Sequence, residues 1–251
     1  MRKALAISLS CFVLAGFAGI SSAGDSPRER ADALWAGRED PGKANEAVAA
    51  YEALLKERPG DHETLLRLSR LHYWIGQILE PVKESDAIAH YAKGRDFGRR
   101  AAEAAPDKPG GYFFEAANLG RENGLKGKFK SLLGIGKVEE LNRKAEAIQP
   151  DYFYRGPDRF FCAYFTRLPG LFGGSVPKAI EHGRKAVAGY PNYAGNRFLL
   201  AEAYVKDGKN DLARAELEAA LAAPDDAFPD AIPEQRLEKK RAAELLKKIA
   251  K

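Results

Sequence analysis

Five prolines punctuate this chain at a nearly regular interval: Pro59, Pro106, Pro150, Pro191 and Pro224, spaced 47, 44, 41 and 33 residues apart. Each closes a helix-like stretch, and an Asp or Asn follows within two positions (Asp61, Asp107, Asp151, Asn192, Asp225). Proline ends a helix because it cannot continue the hydrogen-bond ladder, and the short polar side chain is expected to cap the next helix by accepting a backbone N–H. A period of this size is the signature of a solenoid of stacked helix pairs. Such a scaffold works by presenting a surface, so a binding face is sought before a catalytic centre.

Counting back from each proline tests the repeat. Ala47, Gly94 and Ala179 stand twelve residues before theirs, Tyr51, Gly98 and Gly183 eight before, and Leu54, Ala101, Ala145 and Ala186 five before. Small residues at fixed points on one face let two helices approach closely, while Tyr51 and Leu54 fill the space between them. The last interval is the cleanest: Leu200, Ala201 and Tyr204 lie on a first helix, Asp207-Gly208-Lys209 turns, and Ala213, Leu217, Ala220 and Leu221 lie on a second.

These residues resemble the 34-residue tetratricopeptide repeat. Tyr112, Ala116 and Leu119 fit helix A of a third repeat, with Glu115 in the usual leucine place, and Leu65, Leu68, Ser69 and His72 fit the second. The segment around Arg28 to Gly37, with Trp35, is a degenerate start. Three repeats exceed the norm, and their extra residues are expected between helices A and B, at 78–85, 124–136 and 167–175. A tail from Pro233 to Lys251 carries Leu237, Leu245, Leu246 and Ile249 on one side, and reads as a helix covering the exposed end of the stack. The expected fold is therefore all-α: a right-handed TPR-like α-solenoid of about five helix pairs with a C-terminal capping helix.

A narrower resemblance lies in Asn118-Leu119-Gly120-Arg121, Leu125-Lys126-Gly127, Gly156-Pro157-x-Arg159, Leu168-Pro169-Gly170 and Gly173-Gly174, followed by the good terminal repeat. In this order they resemble the T-component family of bacterial TRAP transporters over residues 45–225. The resemblance implies an envelope protein of a solute uptake system, a periplasmic solute-binding protein as partner, a small hydrophobic ligand in an apolar channel, and a trimeric assembly. Family members are typically lipoproteins.

Residues 1–23 read as a secretory signal peptide: Arg2 and Lys3, an apolar run, and Ser21-Ser22-Ala23 at the cleavage site. The run is too short for a membrane helix, which needs about 20 apolar residues. Ser8-Leu9-Ser10 before Cys11 departs from a lipobox, so lipid anchoring at Cys11 is not expected. One domain over 24–251 then remains, periplasmic or secreted. Losing Arg2 and Lys3 lowers the formal charge from +5 to +3, which gives no argument for nucleic acid. Cys162 is then the single cysteine, excluding an intrachain disulfide, and within Phe160-Phe161-Cys162-Ala163-Tyr164-Phe165 it reads as a buried small hydrophobe.

No enzyme motif stands up. Gly134-Ile135-Gly136-Lys137 lacks the first glycine of a phosphate loop, where Ser131 stands, and Val138 replaces the magnesium-holding hydroxyl. His62, His72, His90 and His182 form no close ligand pair, so neither metal nor cofactor is expected. In 125–136, Leu125, Phe129, Leu132 and Leu133 share one helical face while Lys126, Lys128 and Lys130 point elsewhere. That face packs into the core, or meets an anionic surface or partner.

Aromatic density is the stronger signal. Tyr73-Trp74, Tyr112-Phe113-Phe114 and Tyr152-Phe153-Tyr154 fall on or just before successive A helices, which line the concave side of a solenoid. Each aromatic serves either the inter-repeat core or a groove. The candidate binding residues are Arg70, Tyr73, Trp74, Phe113, Asn118, Arg121 and Arg159, with apolar walls supplying affinity and arginines orienting a carboxylate or an acidic side chain. The expected function is a non-enzymatic periplasmic scaffold or binding protein, the accessory component of a TRAP-type uptake system. The alternative is a protein–protein interaction module for envelope assembly. An enclosed apolar cavity favours the first, and an open groove with charged walls the second. Export carries its own test: N-terminal sequencing of secreted material should begin at Gly24, and an intact Met1 or an acylated Cys11 overturns it.

Overall fold

The computed structural model describes residues 26–250, apart from the side chains of Lys128 and Phe129; the signal peptide expected at 1–23 lies outside the described residues. Eleven α-helices and two short 3-10 turns account for the regular structure, and among the described residues there is no strand. The helices are α1 (Pro27–Ala36), α2 (Pro41–Glu57), α3 (His62–Leu79), α4 (Glu84–Ala104), α5 (Pro109–Leu125), α6 (Lys128–Ile148), α7 (Tyr152–Arg167), α8 (Val176–Gly189), α9 (Ala194–Lys206), α10 (Asn210–Ala222) and α11 (Ile232–Ile249). They pack as five consecutive antiparallel pairs, α1 with α2 through α9 with α10, followed by α11. This is the all-α, TPR-like solenoid that the proline period predicts.

The small residues at the repeat positions do what their spacing implies. A Cβ on Gly98 of α4 would come within 2.6 Å of the Glu115 backbone nitrogen on α5, and one on Gly183 of α8 would meet Leu200 of α9 at 2.9 Å. At these two points the B helix lies against the A helix of the next repeat with no room for a side chain. Ala47, Ala101, Ala145, Ala179 and Ala186 are buried at equivalent points, and Tyr51 fills the gap in the first repeat.

Two local expectations are corrected. Asp61 does cap α3, accepting from the Thr64 N–H at 3.1 Å. Asp107 and Asn192 do not cap, because the N-cap positions fall one residue later, on Lys108 and Tyr193. Asp151 makes no side-chain capping bond. Asp225 precedes no α-helix and pairs instead with Lys239 of α11 at 2.7 Å. The extra residues at 78–85 and 124–136 are largely not loops: they lengthen the helices, so that α4 and α6 reach 21 residues each with short turns before them. Only 167–175 forms a true connection, built around a 3-10 turn at Gly170–Phe172.

The terminal helix α11 covers the last repeats as expected, and it does more. Leu245, Leu246 and Ile249 pack against the core of α7–α10. Leu237, nearer its start, packs against Ala44, Trp74 and Ile75 of the first two repeats. Polar contacts fasten the same crossing. The buried Arg38 guanidinium meets Glu234 at 2.5 Å and donates to the Asp230 carbonyl at 2.9 Å. Arg236 pairs with Glu39 at 2.6 Å, and Arg241 donates to the Gln77 side chain at 3.1 Å. The helix therefore spans from the last repeat back to the first and roofs the concave side. Glu234→Ala strands the Arg38 charge in a buried setting, where losing one partner of an ion pair costs about 3–5 kcal/mol. Urea unfolding should register that loss, and limited proteolysis should speed up at 225–235; unchanged behaviour in both overturns the closure.

Candidate functional site

Roofing of the concave side leaves a cleft of about 290 Å3 between the A helices and α11, at the low end of the roughly 300–1,000 Å3 of small-molecule sites. Its walls are mostly apolar: Phe113 and Phe114 of α5, Phe153 and Phe160 of α7, and Phe198 of α9. Polar groups share the lining: Arg121 of α5, Arg167 at the end of α7, and Glu234, Glu238 and Arg241 of α11.

The wall on α7 rests on an unusual backbone. Phe153, Tyr154 and Arg155 hold φ of 47°, 60° and 61°, three consecutive non-glycine residues in the left-handed region. Such a conformation costs roughly 1–2 kcal/mol per residue because Cβ crowds the following carbonyl. It turns Phe153 into the cleft and sets Tyr154 under the segment leading to α11, with ring centroids 4.8 Å from Tyr193 and 4.4 Å from Phe228. The Tyr154 hydroxyl donates to the Asp230 carboxylate.

Arg159 holds that turn. Its guanidinium donates to the carbonyls of Tyr154 at 3.0 Å and Phe153 at 3.1 Å, and to Asn196 Oδ1 at 2.9 Å. It also stacks 4.7 Å from the Tyr193 ring centroid. Asn196, fully buried on α9, donates to the Tyr154 and Ala186 carbonyls at 3.2 and 2.9 Å. These donors satisfy carbonyls that the left-handed turn withdraws from the helix ladder.

Of the residues singled out in the sequence, Tyr73, Phe113, Arg121 and Arg159 border the cleft together. Arg121 sits against Glu80 at 3.3 Å. Burial disfavours its charge, but Tyr73, Tyr91 and Glu80 around it prevail and hold its pKa above the ordinary value. The other three lie elsewhere. Trp74 is buried beneath the crossing of α11, its indole N–H donating to the Arg38 carbonyl at 2.7 Å. Asn118 is fully buried between α3, α4 and α5, donating to the Phe114 carbonyl at 2.8 Å and to Ser69 at 3.3 Å. Arg70 stacks 4.7 Å from Trp35, 5.5 Å from Phe114 and 4.8 Å from Phe153, and pairs with Asp230 at 3.7 Å, so it ties three repeats to the segment before α11. Sequence reading missed the whole α11 contribution. The one available signal was Leu237, with acidic residues and an arginine at helical spacing beside it.

Remaining chemistry-bearing groups are accounted for by packing. Cys162 is buried, its thiol pushed up to about 12 by desolvation, and donates to the Leu199 carbonyl at 3.3 Å. His72 faces His90 with Nδ1 atoms 2.9 Å apart, and burial drives its pKa down to about 3. His182 meets Asp158 at 2.8 Å. Among the described residues no group of three His, Cys, Asp or Glu side chains is placed to hold a metal.

Paired helices around a roofed concave cleft define the class: a tetratricopeptide-like helical-repeat protein. Residues 112–251 match the family model of the TRAP transporter T-component, more than half of the chain, and the chain belongs to that family. Among solved structures it is similar to a thermophilic TPR protein of Thermus thermophilus, with 19% identity over 87% of this chain and 100% of that one and a TM-score of 0.64. It is also similar to MamA, at 16% identity over 85% of this chain and 95% of that one, with a TM-score of 0.42. No curated protein matches. The first likeness shows the fold.

Arg159→Ala should destabilise the protein by about 2–4 kcal/mol, since charge-assisted hydrogen bonds contribute roughly 1.5–3 kcal/mol each. The readout is a melting temperature lowered by some 5–10 °C. Arg159→Lys should recover little, because a point charge cannot serve three acceptors in a fork. A melting point within a degree of wild type means the turn does not need this arginine.

Proposed function

We propose that this protein is a periplasmic accessory component of a TRAP-type solute uptake system that holds a small apolar carboxylate in the cleft beneath α11. Family membership supports a non-enzymatic accessory or scaffold role beside transporter components. What supports ligand holding is the roof: α11 converts an open concave face into an apolar-walled cleft with Arg121 in its lining. A pure interaction module gains nothing from covering its own groove.

In this reading the aromatic walls provide most of the affinity, and a ligand carboxylate competes with Glu80 for the Arg121 guanidinium. Arg159 serves the site indirectly, by fixing where Phe153 stands. Entry and release require motion of α11 or of the short segments before it. The partner is the system's periplasmic solute-binding protein, which would exchange the ligand with the cleft.

Decanoate is a suitable probe, combining an apolar chain with one carboxylate. Calorimetric titration should show binding to wild type and roughly tenfold weaker binding to Arg121→Gln, which loses the charge-assisted hydrogen bond but keeps a polar side chain. The melting temperature should stay within a few degrees. Equal affinities in both proteins remove Arg121 from the site. No decanoate binding, with no small molecule retained in native mass spectrometry of protein from its own host, rejects the ligand reading in favour of the interaction module.

A further inference from the structure

Among the described residues, six of the seven exposed large apolar side chains fall in one register of the repeat; Ile148, at the C-terminal end of α6, is the exception. Ile78 and Val82 stand at the α3–α4 turn, Leu133 near the start of α6, Leu171 and Phe172 between α7 and α8, and Leu212 at the start of α10. All are at or near turns from an A helix to its B helix. Stacked repeats place these turns along one edge, so the residues share an edge of the molecule. In the middle of that edge, Leu133 is 67% and Leu171 90% exposed.

Charge singles out the same middle stretch. Segments 124–138 and 167–178 contain Lys126, Lys128, Lys130, Lys137, Arg167 and Lys178 and not one Asp or Glu. Carboxylates outside them neutralise three: Glu122 meets Lys126 at 2.5 Å, Glu140 meets Lys137 at 3.3 Å and Glu202 meets Arg167 at 2.7 Å. Lys130 and Lys178 have no carboxylate within ion-pairing distance among the described residues. Both segments reach the same cleft: Ser131 and Ile135 from one, and Arg167 and Leu168 from the other, border it.

The 167–175 loop is built to hold its apolar tip outward. The Phe172 and Gly174 N–H groups donate to the Pro169 carbonyl at 2.9 and 3.1 Å, and Ser175 N–H to the Phe165 carbonyl at 3.0 Å. Gly173 takes a φ of 93°, and a Cβ on Gly174 would lie 1.9 Å from the Leu168 carbonyl oxygen. Leu171 and Phe172 are thus displayed on a tied turn.

We propose that this edge docks on an anionic lipid bilayer, with Leu133, Leu171 and Phe172 entering the interface and Lys130 and Lys178 meeting headgroup phosphates. Isolated apolar tips beside lysines held in no ion pair suit a lipid boundary, which accepts separate knobs; Lys178 lies over the Phe165 ring at 5.6 Å, with Glu139 and Glu181 in its field. A protein interface prefers a packed apolar centre depleted of charge. No described helix is long and apolar enough to cross a membrane; the docking proposed is peripheral. The docking does not depend on what the cleft holds. Should the ligand reading also stand, the cleft margin at Ile135 and Leu168 would face the bilayer, and an apolar ligand would reach it with little exposure to water.

Sedimentation with vesicles tests this. The protein should sediment with equimolar phosphatidylglycerol–phosphatidylcholine vesicles at low salt, and not with pure phosphatidylcholine. Each lysine near a charged surface contributes about fivefold to partitioning, so Lys130→Glu with Lys178→Glu should lower it by about tenfold or more. Leu171→Glu with Phe172→Glu should lower it comparably, with an unchanged melting temperature because both side chains are exposed. Native Trp35 and Trp74 are buried, so a blue shift of Phe172→Trp emission on adding anionic vesicles reports entry of the tip. Sedimentation no greater than with phosphatidylcholine, or equal for wild type and both double variants, overturns the proposal. It is overturned equally if vesicles fail to bind and the Leu171/Phe172 double variant lowers the light-scattering mass without lipid, which makes the edge an interface between copies.

Discussion

Closure of the solenoid depends on where two arginine charges can go. Arg38 and Arg70 leave the first two repeats pointing inward, and a guanidinium removed from water must find carboxylate or carbonyl partners. Those partners, Asp230 and Glu234, come from the far end of the chain. The demand is mutual: without α11 both arginines and the Trp74 face would open to water, and without them α11 would have only the last repeat to lie on. An open stack is thereby turned into a structure with an inside.

The inside has its shape because one turn is strained. Three left-handed residues at the start of α7 are unfavourable by themselves, and they persist because Arg159 and Asn196 take up the displaced carbonyls. Tyr154 packs against Phe228 and reaches Asp230, so the strained turn and the α11 crossing support each other. Strain of this kind accumulates where geometry serves a site. Here it sets Phe153 facing the cleft and links the fourth repeat to the roof.

Length variation among the repeats has two structural outcomes. In the second and third repeats extra residues continue the helical ladder, so α4 and α6 grow long, and α6 carries Ser131, Ile135 and Val138 to the cleft. In the fourth, Pro169 and paired glycines stop the ladder and form an apolar-tipped loop. The sequence distinguished these cases only weakly. Residues 124–136 were expected between helices A and B, yet only Gly127 adopts a positive φ at a turn, while Gly134 and Gly136 lie within α6.

Periodicity was sufficient for the architecture. Prolines, small residues and helix-facing leucines at fixed offsets act through contacts between neighbouring repeats, and such contacts can be read from local spacing; five helix pairs and a terminal helix followed directly. Tyr73, Phe113 and Arg121 were legible for the same reason, being successive positions on A helices. Trp74, Asn118 and Arg70 were not separable from them, because adjacent positions on a helix differ in direction and only packing decides which faces a groove. The path of α11 was decided by tertiary structure alone. Its contacts join residues nearly two hundred positions apart, and no repeat spacing encodes a partner at that distance. The left-handed turn likewise has no local signature, since Phe, Tyr and Arg each disfavour it, and it exists only because residues brought in by folding satisfy what it leaves open.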